Sequence, residues 1–127
     1  MKAILDTSVL VDEVFDAEQY EVSVSSLSWA ELRYGVRKAR EPGERARRET
    51  RLLRLRALLG DGVPFDDSAA IAYEAICGLV LTSGRDVRGR VVDMMIAATA
   101  AAHGAAVLTR NPDDFAGIES LVPIIAI

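Results

Sequence analysis

The sequence predicts an α/β fold, with a central, mostly parallel sheet of four to five strands and helices on both faces. Short apolar runs that read as strands alternate with longer amphipathic segments that read as helices. Strands separated by helices return to the sheet in parallel, which leaves both faces covered. The 127 residues suit a single domain spanning 1–127 around one core.

Residues 2–5 form the first strand, and a helix capped by Thr7 or Ser8 is expected to run to about Ala17. Glu21-Val22-Ser23-Val24-Ser25 alternates with period two and reads as the second strand. Ser26 or Ser28 then caps a helix carrying Trp29, Glu31, Leu32 and Val36, which stops before Pro42-Gly43. A charged helix follows from about Glu44 to Leu59, and Gly60-Asp61-Gly62 turns the chain into a short strand at Val63-Pro64-Phe65. Asp67 or Ser68 caps a helix to about Leu81, and Ser83-Gly84-Arg85-Asp86 is a loop. The next helix carries Asp93 and ends at His103-Gly104, a cation in the last turn and then a glycine stop. Ala105 to Leu108 is a strand, Thr109 to Asp114 a loop, and Val122 to Ile125 the last strand.

Four acids occupy places that tolerate charge poorly or that the fold would bring together: Asp6, Glu31, Asp93 and Asp114. Asp6 ends the run Ala3-Ile4-Leu5, and Asp93 lies in Val91-Val92-Asp93-Met94-Met95-Ile96-Ala97-Ala98, apolar on nearly every side. An unpaired carboxylate in such a helix costs several kcal/mol unless a cation or hydrogen-bond donors compensate. In open parallel sheets ligands gather at the carboxyl ends of strands. Asp6 and Asp114 follow strands there, Glu31 sits in the helix leaving the second strand, and the start of the Asp93 helix can reach the same edge. Clustered carboxylates repel, and an all-oxygen set matches Mg²⁺ or Mn²⁺. Metal-assisted hydrolysis of a phosphodiester is the chemistry such a set suits.

The net charge of −4 hides a sorting along the chain. Arg33 to Arg56 holds nine arginines and Lys38 against three glutamates, or +7, and the remainder holds five bases against sixteen acids, or −11. A basic arm on an acidic body can guide a polyanion toward a metal-neutralised pocket. The plainer reading is a solvated helix face on which Glu44 and Glu49 pair neighbouring arginines. Cys77 is the only cysteine, so it forms no internal disulfide and reads as a small core residue. The apolar runs fall short of the roughly 20 residues of a membrane span, and an acid at position 6 comes too early for a signal peptide. A cytoplasmic protein without a membrane partner is expected.

Four segments resemble PIN-domain nucleases in composition and order. These are Ile4-Leu5-Asp6-Thr7-Ser8-Val9, Ser28-Trp29-Ala30-Glu31-Leu32, Asp93-Met94-Met95-Ile96-Ala97-Ala98-Thr99-Ala100 and Leu108-Thr109-Arg110-Asn111-Pro112-Asp113-Asp114-Phe115. More closely, the chain is similar to the VapC toxins of bacterial type II toxin–antitoxin pairs. The resemblance implies a PIN-like fold, Mg²⁺- or Mn²⁺-dependent endoribonuclease activity on RNA, inhibition by a cognate VapB-like antitoxin, and homodimerisation. It also implies metal-ligand and catalytic roles for Asp6, Asp93, Glu31 and Asp114, with Asp113 an adjacent alternative to the last. Thr7 and Asn111 sit where small polar groups orient carboxylates or water. Asn111 reads equally well as a turn residue before Pro112. Arg85, Arg88 and Arg90 can touch RNA phosphate or simply lie in a solvated loop. Where the family often has a proline near the start of the Asp93 helix, this chain has Arg88-Gly89-Arg90-Val91-Val92.

Other candidates carry less. Asp66 and Asp67 end a strand and cap a helix, His103 is explained by its helix end, and Trp29, Leu32, Met94 and Met95 read as core, although the resemblance places an antitoxin groove near these helices. Two other functions compete with catalysis. A degenerate PIN domain would only bind RNA or protein, without Asp6-dependent metal uptake. A receiver-like phosphoacceptor domain would need adjacent acids and a lysine after the last strand, whereas Lys2 and Lys38 are the only lysines.

Overall fold

The computed structural model describes residues 1–12 and 15–127. Strand β1 (Lys2–Leu5) leads into helix α1 (Thr7–Leu10), then strand β2 (Glu21–Val24) and helices α2 (Ser26–Lys38) and α3 (Pro42–Leu59). Helices α4 (Asp67–Thr82) and α5 (Val91–Ala102) precede strand β3 (Ala106–Thr109), a 3-10 turn at Pro112–Phe115 and strand β4 (Ile124–Ala126). The four strands are all parallel in the order β2-β1-β3-β4. Sequence order therefore reverses between β1 and β3, and their carboxyl ends frame the crevice where ligands bind in such sheets.

Side chains alternate across the sheet, and each face builds its own core. Ile4 and Val107 point into a cluster with Ile76, Ile96, Phe115 and Val122. Ala3, Leu5 and Leu108 point the other way, onto Val9, Leu10, Trp29 and Leu52. The first cluster belongs to α4 and α5, the second to α1, α2 and α3. Phe115 is fully buried in the first, one residue beyond Asp114. Phe115→Ala should cost about 3–5 kcal/mol in urea unfolding, because a buried ring leaves a cavity that the parallel sheet cannot collapse to fill.

Local rules placed most boundaries, with shifts that have physical reasons. Ser25, still extended, caps α2 by accepting from the Leu27 amide at 3.1 Å, so Ser26 and Ser28 lie inside the helix. Asp66 likewise caps α4 at the Ala69 amide, 3.0 Å away, which leaves Asp67 in its first turn. Helix α3 starts earlier than expected, because Pro42 serves as its first residue and Glu41 accepts from the Gly43 and Glu44 amides. Gly104, at φ 64°, stops the helix that carries Asp93. Helix α1 does not reach Ala17 but ends at Leu10, and residues 13 and 14 of the expected span lie outside the described residues. Phe15 and Ala17 both turn onto the second core, a spacing of two that one helix face does not present.

The short strand at Val63-Pro64-Phe65 is reduced to one parallel bridge between Val63 and Ser25. Pro64 has no amide to extend the ladder. The bridge itself depends on Gly62, where a Cβ would lie 2.6 Å from the Ser26 Cα.

Glu44 holds Arg47 and Arg48 one turn on, and Glu49 holds Arg33 of α2. The solvated-face reading thus accounts for part of the arginine run. Cys77 is half-buried and free. Among the described residues, no helix is long and apolar enough to cross a membrane.

Candidate metal centre

The crevice between β1 and β3 is built on Asp6. Its amide donates to the Leu108 carbonyl at 2.8 Å, extending the β1–β3 pairing by one residue and bringing the carboxylate to the strand ends. The residue is only 4% exposed, so solvent does little of what the protein leaves undone. The hydroxyls of Ser8 and Thr109 donate to Asp6 Oδ2 at 2.8 and 2.9 Å. Asp6 Oδ1 is buried with no hydrogen-bond partner. An ionised carboxylate with one satisfied and one orphaned oxygen is costly unless a cation meets the second.

The other acids approach from three elements. Asp93 stands in the first turn of α5, Glu31 in α2 and Asp114 in the 3-10 turn. Burial pushes the Asp93 carboxyl up to about 6, and the negative charges of Asp6, Asp114 and Glu31 push in the same direction against Arg90. All four acids therefore share one field. Asp114 is half-buried, whereas Asp113 is exposed and is not among the charges that act on Asp93. Glu31 is oriented by the Thr7 hydroxyl, which donates to its Oε1 at 2.7 Å and also lies 2.9 Å from the Ser28 hydroxyl.

Asn111 is exposed and acts through its backbone. Its amide donates to Thr109 Oγ1 at 3.0 Å, and its carbonyl accepts from the Asp114 amide at 3.0 Å, which shapes the turn. Arg90, at the start of α5, donates to the carbonyl oxygens of Asp114 at 3.2 Å and Asp113 at 3.4 Å. It joins the turn carrying Asp114 to the helix carrying Asp93. Arg85 and Arg88 are exposed, and Arg85 lines a small hollow with Arg90 and Asp114. His103, Asp66 and Asp67 have no place in the crevice. Trp29 and Met94 are buried, and Leu32 and Met95 half-buried.

Ser8 and Thr109 are the residues that sequence reasoning missed as a pair. Ser8 read as a helix cap and Thr109 as the start of a loop, although a hydroxyl closing the run Ala106-Val107-Leu108 was a signal of the same kind as Asp6.

The donor set fits a hard divalent cation: four carboxylates, one with an orphaned oxygen, and no thiol or imidazole. Among the described residues, no three acids are drawn into a ready-made ligand cluster. A cation that retains several waters reaches some ligands through them and does not need a closed cage.

Residues 3–120 match the PIN domain model. The VapC ribonuclease Y4jK of Sinorhizobium fredii is 37% identical over 127 residues, which cover 96% of this chain and 88% of the relative. The toxin–antitoxin structure VapBC-5 from Mycobacterium tuberculosis superposes with a TM-score of 0.83 at 33% identity, covering 100% of this chain and 98% of the other. DNA-bound VapBC from Salmonella typhimurium gives a TM-score of 0.73 at 25% identity, covering 99% and 98%. The sheet order, the acids at its carboxyl edge and these full-length similarities agree: the chain belongs to the PIN-domain family, in its VapC branch.

Proposed function

We propose that this chain is the toxin of a type II toxin–antitoxin pair, an endoribonuclease that depends on Mg²⁺ or Mn²⁺ and is silenced by a VapB-like antitoxin. The observation that carries the chemistry is the orphaned Oδ1 of Asp6, on a carboxylate that shares its field with Asp93, whose own carboxyl is raised to about 6 by burial first and then by Asp6, Asp114 and Glu31. Asp6 and Asp93 are the principal ligands in this reading, with Glu31 and Asp114 completing the set. A divalent cation held there supplies positive charge against the phosphoryl oxygens and lowers the pKa of a water. The hydroxyls of Ser8 and Thr109 hold Asp6 by Oδ2 so that Oδ1 faces the crevice. Thr7 holds Glu31 by Oε1, which leaves Oε2 to take the proton of the attacking water. The water oxygen bonds to phosphorus, the 3′ oxygen leaves and gains a proton from solvent, and the products carry 5′-phosphate and 3′-hydroxyl ends.

The antitoxin partner and the oligomeric assembly follow from the VapBC complexes that this chain resembles. We place the protein in the cytoplasm, as a homodimer that joins its antitoxin in a hetero-oligomer. Purified, antitoxin-free protein should cut total bacterial RNA at discrete sites with Mn²⁺, and lose those cuts with EDTA or with Asp6→Asn. Sequencing the cut ends tests the proposed polarity. Well-folded protein that makes no cuts, or cuts that survive EDTA, would sink the reading.

A further inference from the structure

A cleft of about 460 Å³ opens beside the acid crevice, between α2 and α3. Thr7 and Glu31 are among its lining residues, so it shares two side chains with the proposed site of hydrolysis. Arg48, Arg51, Leu52 and Leu55 line it from α3, and Leu32 and Gly35 from α2. The two arginines are held from behind. Arg51 Nη1 donates to the Val11 carbonyl at 2.9 Å, and Arg48 Nη1 donates to the Gly35 carbonyl at 2.7 Å. Arg48 also meets Glu44, which lines the same cleft and shares its charge with Arg47. No salt bridge holds Arg51 among the described residues, so its charge is not cancelled. A guanidinium anchored by one N–H keeps others for a ligand and has less motion to lose on binding.

We infer that this cleft is a substrate subsite, which takes the nucleotide next to the scissile bond of a single-stranded RNA. Arg51 grips the phosphate, Arg48 assists, and the leucines lie under the base. The inference rests on the ribonuclease reading and adds the direction in which substrate leaves the metal centre. Charge complementarity selects the occupant through Arg51: of the cleft's charged side chains, Glu44 pairs with Arg48, Glu31 belongs to the acid set of the proposed metal centre, and Arg51 is the cation left for a phosphate. An apolar floor beside anchored arginines suits a nucleotide, with its apolar base face and anionic phosphate.

The test is the affinity of a fluorescent single-stranded RNA of about ten nucleotides, read by anisotropy without added metal, on an Asp6→Asn background that leaves the probe intact. Arg51→Gln should weaken binding roughly tenfold, the loss of one hydrogen-bonded charge contact. It should also lower the slope of log affinity against log salt by about 0.7, one phosphate's worth for a single strand. Arg51→Lys should restore the slope. Arg54→Gln removes the same charge from the same helix outside the cleft and should change affinity far less. Equal losses for Arg51→Gln and Arg54→Gln would reduce the effect to general charge and overturn the subsite. An Arg51→Gln variant with unchanged RNA affinity but weakened antitoxin binding would overturn it too, and give the cleft to the protein partner. Failure of the ribonuclease reading is separate, since it appears as uncut RNA with Mn²⁺ while Arg51 is intact.

Discussion

Asp6→Asn should lower RNA cleavage with Mn²⁺ by at least about 10³-fold and leave the fold in place. Loss of the several kcal/mol that a positioned divalent ion contributes to a phosphoryl transition state corresponds to a factor of that size. The fold survives because the amide oxygen can replace Oδ2 and accept the Ser8 and Thr109 hydroxyls, which donate at 2.8 and 2.9 Å in the native protein. With the oxygen held there, the amide nitrogen takes the place of Oδ1. Its N–H groups then point where the wild-type chain presents an orphaned oxygen. A donor directed at a cation site excludes the cation. Mn²⁺ titration by calorimetry should therefore lose its heat in this variant, while circular dichroism stays native. Native-like cleavage by Asp6→Asn would remove Asp6 from the metal site altogether.

The acids of the crevice were legible because charge is conspicuous in apolar surroundings. Asp6 closes an apolar strand and Asp93 interrupts an apolar helix, so the sequence marks both without a structure. Ser8 and Thr109 were not legible as partners, since a hydroxyl is ordinary at a helix start or a strand end. Only the β1–β3 pairing, with Leu5 beside Leu108, brings these two onto the same carboxylate oxygen. Asp113 and Asp114 were inseparable by position. The 3-10 turn separates them by leaving Asp113 in solvent and carrying Asp114 toward the crevice beside buried Phe115.

Fold class was the easier inference, because alternating periods of apolar residues survive errors in any one boundary. The losses fell where two local signals competed. Tandem polar residues before α2 and α4 each offered a cap, and the first extended one took it. Val63-Pro64-Phe65 has strand-like residues but only Val63 reaches a neighbour, so composition overstated a ladder that the missing Pro64 amide prevents. The arginines of α3 showed a comparable ambiguity. Arg47 and Arg48 are accounted for by Glu44, while Arg51 reaches a carbonyl of the segment after α1, a contact 40 residues away that no helical spacing foretells.

Asp93→Asn should reverse the order of stability between variant and wild type according to whether metal is present. Without metal, the Asp93 carboxyl is raised from an ordinary 3.8 to about 6, by burial first and then by Asp6, Asp114 and Glu31. The folded chain therefore holds this proton more tightly than the unfolded chain. Stability from that preference is fully present below pH 3.8 and is lost as pH rises through about 6. At pH 7 in EDTA the ionised carboxylate is a net cost, about 1 kcal/mol after discounting for the solvent that reaches a half-exposed group. Asparagine removes the charge and should raise the melting temperature by roughly 3–5 °C at that pH, with little difference left at pH 4. Saturating Mn²⁺ should act oppositely. It stabilises the wild type by about 2.7 kcal/mol at a hundredfold excess over its dissociation constant, and should do almost nothing for the variant. Thermal melts at pH 4 and pH 7, each with EDTA and with Mn²⁺, would show the crossing. A variant less stable than wild type in EDTA at pH 7 would mean that Asp93 has a compensating partner within the protein. Equal stabilisation of both proteins by Mn²⁺ would place the cation elsewhere. The crossing itself would establish that the acids of this crevice are arranged at a cost to folding that a bound cation offsets.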